Sequence, residues 1–71
     1  MDKLSSMDAA SKGRRYARIF RKAGTLLGKS DITRAVAVLT EGLKLAEALG
    51  DRTMARRFAD EIGRVTASGA S

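Results

Sequence analysis

Apolar side chains recur every three or four residues in three separate stretches, and short glycine- and aspartate-bearing joints divide them. That period belongs to the α-helix, about 3.6 residues per turn. No stretch alternates strictly between apolar and polar residues, so nothing calls for a strand. With 71 residues and no proline, the chain has room for one domain and no internal helix breaker of that kind. The reading is an all-α fold: a three-helix antiparallel hairpin-plus-one, with the domain at 13–66, a loosely held N-terminal segment at 1–12 and a frayed tail at 67–71.

The first helix is expected from Lys12 or Gly13 to Leu27. At about 100° per residue, Tyr16, Ile19, Phe20, Ala23, Leu26 and Leu27 share one arc. Arg14, Arg15, Arg18, Arg21 and Lys22 share the opposite arc, and no large apolar residue interrupts them. Gly28 is expected to end the helix. The second helix is expected to begin at Ile32, capped by Asp31 or Ser30, and to run to Leu49, with Gly50 closing it. Ile32, Val36, Leu39 and Leu43 make one stripe on it, and Val38, Leu45 and Leu49 make another. Two stripes imply two neighbours, so this is the expected central helix. Gly42 lies between the stripes and costs about 1 kcal/mol relative to alanine in a helix interior; a close crossing would account for it. The third helix is expected after Asp51, with Met54, Phe58, Ile62 and Val65 inward. On its outer side Arg56–Asp60, Arg57–Glu61 and Asp60–Arg64 have the spacing of helical ion pairs. The short joints imply antiparallel neighbours.

Charge is unevenly spread. The net charge is +6. Residues 1–8 carry −1, residues 9–30 carry +7 without a single acid, and residues 31–71 sum to zero. Such asymmetry points to an anionic partner or, in the plainer reading, to a solvated face that aids solubility. The candidate contact residues are Arg14, Arg15, Arg18, Arg21 and Lys22, which have no acid within their own stretch.

Composition closes off much chemistry. With neither cysteine nor histidine, the chain cannot build a disulfide framework, a Cys/His zinc site or a Ser-His triad. Asp60 and Glu61 are adjacent, but their arginine neighbours account for them. Gly28-Lys29-Ser30 has the ending of a phosphate-binding loop, but the glycine needed five residues before Gly28 is Ala23, and no strand precedes it. No catalytic activity and no cofactor are expected. No apolar run approaches the roughly 18 residues of a membrane span, and the start lacks the pattern of a secretory signal. Absence of cysteine fits a reducing compartment, and the expected location is the cytoplasm.

The run from Ala35 through Leu39, Gly42 and Leu45 to Leu49-Gly50-Asp51-Arg52 resembles the second helix of a tetratricopeptide repeat of the longer kind, whose units often end in Leu-Gly-Asp. Ala35 and Gly42 match its small positions and Leu39 its large one. Ala23 and Leu26 match the small and large positions of the first helix, and Ile62-Gly63 the Leu-Gly pair of a following unit. Ala23 and Gly63 stand 40 residues apart, close to a repeat period. The resemblance covers about residues 16–66, one unit plus one helix. Lys22 departs from it, standing where the family prefers leucine, and no proline ends the second helix. The resemblance implies a protein-binding module whose groove would include Phe20, Gly24, Leu27, Arg57, Asp60 and Arg64.

The expected function is therefore a small adaptor or regulator with a basic first helix for an acidic partner. The expected partners are an acidic protein surface or a second copy, giving a homodimer or a heteromeric subunit. A chain this small with no disulfide or metal needs tight packing or association. The alternative is nucleic-acid binding through phosphate contacts of the first helix. A membrane surface is disfavoured, because the first helix would have to surrender its core contacts.

Overall fold

The computed structural model describes residues 9–69. Among them are three helices and no strand: α1 (Ala9–Gly28), α2 (Ile32–Ala48) and α3 (Arg52–Gly69). The all-α, three-helix reading holds. Helix α1 covers Ala9, so residues 9–12 of the expected loose segment are helical, while 1–8 lie outside the described residues. Helix α3 runs on to Gly69, so the tail expected to fray from 67 is helical that far; 70 and 71 lie outside the described residues.

The two joints are built alike. At the first, the Ser30 and Asp31 amides donate to the Leu27 and Leu26 carbonyls, at 2.9 Å each. At the second, the Gly50 and Asp51 amides donate to Glu47 and Ala46, at 3.1 and 2.8 Å. Both have the bonding pattern of a Schellman motif, which satisfies the last carbonyls of a helix through one left-handed residue. That residue is Gly50 at the second joint (φ 69°) and Ser30 at the first (φ 61°). Helix α1 does end at Gly28, but the positive φ expected of that glycine falls on Ser30, because the motif counts its turn from Leu26 and Leu27. Each joint then finishes on an aspartate that caps the next helix. Asp31 accepts from the Arg34 amide at 3.2 Å, and Asp51 from the Met54 amide at 3.1 Å.

Helix α2 contacts both α1 and α3, as its two stripes required. Its innermost residues are Ala35, Leu39, Gly42 and Ala46, all buried. Three of these are small, and Phe58 of α3 enters the space left at Gly42. Phe58 is fully buried, with Tyr16 tilted against it at 5.7 Å and Phe20 stacked on it at 4.6 Å. The close approach foreseen at Gly42 is therefore to a ring: a Cβ there would lie 2.6 Å from Phe58 Cζ. Tyr16, near the start of α1, meets the start of α3, whereas Leu27, Ile32 and Val65 gather at the opposite end. Successive helices are antiparallel.

Two substitutions test this packing. Leu39→Ala should lower unfolding stability by about 2–5 kcal/mol, read by urea denaturation. Gly42→Ala should destabilise the fold, because overpacking costs about 1–3 kcal/mol and the hemmed-in ring cannot retreat. Gly24→Ala is its control. Gly24 has open space around it, so there the same change should stabilise by about 0.5–1 kcal/mol. Equal effects at the two glycines would refute the role given to Gly42.

Candidate functional site

Helix α1 turns Tyr16 and Ala23 into the core and leaves Ile19, Phe20, Leu26 and Leu27 half-buried. Its other side is thereby fixed toward solvent. Arg14, Arg15, Arg18, Arg21 and Lys22 are all exposed. They span about 12 Å of helix axis, close to the Debye length of about 10 Å at 0.1 M salt, so an approaching anion meets them as one patch. Arg14 Nη2 donates to Ser11 Oγ at 3.3 Å. A shallow hollow of about 200 Å³ lies among Arg14, Ala17, Arg18 and Arg21. Arg15 and Arg18 also flank a groove of about 270 Å³ shared with Ile19 and with Glu41 and Leu45 of α2.

None of the five cations makes an ion pair among the described residues. Among the described residues the ion pairs are Lys12–Asp51 at 3.3 Å, Arg34–Asp31 at 3.5 Å and Arg64–Glu61. The i,i+4 pairs expected along α3 are not among them. Arg64 bonds Glu61 one position nearer, with Nε donating to Oε1 at 3.2 Å. Arg57 instead lies over the Phe20 ring, its guanidinium carbon 5.6 Å from the centroid. A cation over a ring face gains from the ring quadrupole, and that ring is offered by another helix.

The residues that the repeat resemblance placed in a groove come together in part. Phe20 and Arg57 meet as described. Leu27 and Arg64 line one pocket of about 250 Å³ with Ile32 and Val65. Gly24 and Asp60 are exposed.

One cluster escaped the sequence reading. Asp51, besides capping α3, accepts from the Tyr16 hydroxyl at 3.2 Å and pairs with Lys12. Lys12 had been grouped with the basic stretch. Yet it precedes Tyr16 by four residues and so falls on the apolar arc of α1, a signal available in the spacing. The Met54 amide bond, above all, holds the Asp51 carboxyl below its ordinary range; burial opposes this, and bonds from Lys12 and Tyr16 reinforce it. Burial, then the Asp51 charge and bond, push the Tyr16 hydroxyl up to about 12. No buried side-chain nitrogen or oxygen lacks a partner among the described residues. No group of three or more His, Cys, Asp or Glu there could hold a metal ion, and no helix there is long and apolar enough to cross a membrane.

These shifts set a pH dependence. Asp51 favours the folded state as an anion, so its contribution is complete above about pH 4 and is lost as pH falls through its lowered value. Tyr16 favours the folded state as a neutral phenol. Its contribution is complete below pH 10 and is lost as pH rises toward 12. In urea titrations across pH, Tyr16→Phe should shrink the alkaline loss, and Asp51→Asn the acid loss. Unchanged limbs in both variants would show that the cluster does not link the helices energetically.

No protein-family model, curated protein or solved structure matches the chain significantly.

Proposed function

We propose that the chain is a small non-enzymatic interaction module, an adaptor or regulator of tetratricopeptide-like build, which docks an acidic protein partner on the basic face of α1. The observation that carries this reading is the five exposed cations from Arg14 to Lys22, none of which is paired with an acid among the described residues. Unpaired cations on a rigid helix keep their full charge for a ligand and guide its approach. The hollows among them alternate charge with the apolar edges of Ala17, Ile19 and Leu45, a mixture suited to a folded acidic surface. Arg57, over the Phe20 ring, extends positive charge to the α1–α3 side.

The same cations suit phosphates, but the aromatic residues argue for protein over single-stranded nucleic acid. Stacking platforms must be free to receive bases. Tyr16 is buried, and Phe20 is stacked on Phe58 with the Arg57 guanidinium also over its ring.

The test uses a labelled glutamate-rich peptide and a labelled oligonucleotide duplex, each titrated by fluorescence anisotropy at low and high salt. The peptide should bind with salt-dependent affinity. Reversing Arg18→Glu and Arg21→Glu should weaken it by tenfold or more, about 1.4 kcal/mol, with helix content unchanged. Tighter binding of the duplex would transfer the function to nucleic acid. Binding of neither probe, or an affinity insensitive to the reversal, would leave the basic arc a solvated face.

A further inference from the structure

A second surface, remote from the basic arc, also lacks a partner. On α3, Ala55, Ala59, Gly63 and Ala67 stand four residues apart and form one ridge. Ala59, Gly63 and Ala67 are exposed, and a Cβ built at Gly63 meets nothing within 4 Å. On α2, Val36, Leu43 and Glu47 form the facing ridge, with Val36 and Leu43 half-buried against the core. Ile62 of α3 is likewise half-buried against the core. The two ridges meet at a pocket of about 320 Å³ lined by Glu47, Gly50, Asp51, Arg52 and Ala55. The result is a shallow apolar trough. Glu47 stands on its α2 bank, Arg52 and Arg56 stand on its α3 bank, and none of the three is in an ion pair among the described residues.

We infer that this α2–α3 trough is the contact between two copies of the chain. The charge distribution fits a copy. Residues 31–71 sum to zero while 9–30 carry +7, so two chains joined through α2 and α3 keep their α1 charges on the outside. The rim fits it as well. A two-fold axis along the trough sets the α2 bank of each copy against the α3 bank of the other. Each Glu47 then faces the partner copy's arginines, the self-complementarity that an isologous contact requires. Small residues along the ridge permit the helix separation of about 8 Å at the tight end of helix packing. The core supplies the driving force. Phe58 and Leu39 are its largest fully buried side chains, which leaves Val36, Leu43 and Ile62 with apolar surface still to cover. A dimer of this form carries two basic faces, and its contact is independent of whether those faces bind an acidic protein.

Light scattering from micromolar to millimolar concentration, together with circular dichroism, tests the contact. The wild-type chain should scatter at twice its own mass. Ala59→Arg puts a long cation on the ridge at an exposed helical position and should give the single-chain mass with the same helix content. Glu47→Arg should weaken the dimer by tenfold or more, and adding Arg52→Glu and Arg56→Glu should restore it. The Arg18→Glu, Arg21→Glu variant should remain dimeric. A wild-type chain that stays single at millimolar concentration overturns the inference. So does a dimer that survives both Ala59→Arg and Glu47→Arg, or one that is lost on reversing Arg18 and Arg21.

Discussion

The ring of Phe58 holds the three helices together. Helix α2 offers Ala35, Gly42 and Ala46 inward, a strip too small to make a core alone. Phe58 reaches from α3 into the room that Gly42 leaves, and Tyr16 and Phe20 of α1 close on it. All three aromatic residues of the chain are spent in this one cluster. Aromatic side chains bury the most area per residue, and tilted or offset ring pairs add to it. A small core can therefore rest on a single insertion, and the function inherits the consequence: no aromatic side chain is left free on the surface.

Helix type and helix order were legible because the apolar period is strong and the caps are specific. Asp31 and Asp51 each follow a joint and precede an apolar run, and each caps as its chemistry requires. The extension of α1 over residues 9–12 was not legible, since Ala9, Ala10 and Ser11 add no large apolar residue to the helical period. Nor was the left-handed Ser30, because the nearby Gly28 offered a cheaper residue for that conformation. The ion pairs of α3 were misread for a different reason. Spacing says which side chains can meet along one helix, while the Phe20 ring that holds Arg57 comes from another. The basic arc was legible in full, as exposure on α1 follows directly from which residues face the core.

The molecule divides its electrostatics by helix. Arg34, Lys12 and Arg64 are matched to Asp31, Asp51 and Glu61, so paired acids serve the joints and the flank of α3. The α1 arc receives none. Glu41 shares a groove with Arg15 and Arg18 but is bonded to neither. An unpaired arc gains nothing for an isolated fold and pays in self-repulsion. On the function proposed above, its return lies in association, where desolvated charge pairs set specificity and approach rate.

The two ends of the hairpin are unequal, and this bears on how α1 presents its cations. Both joints share one backbone design, yet only at the second does the aspartate side chain reach a helix that the joint does not connect. Asp31 spends its carboxylate on the neighbouring Arg34 amide and side chain. Asp51 reaches across to Tyr16 and Lys12. At the opposite end Leu27, Ile32, Arg64 and Val65 border an open pocket with no such tie. The N-terminal half of α1 is thus pinned by a charged bond, a hydroxyl bond and the Phe58 ring within little more than one turn. Arg14, Arg15 and Arg18 project from that pinned half. Ordering a mobile helix on binding would consume affinity, whereas a helix already held in place does not require it. The bond that neutralises Lys12 therefore also fixes the backbone from which its unpaired neighbours are displayed.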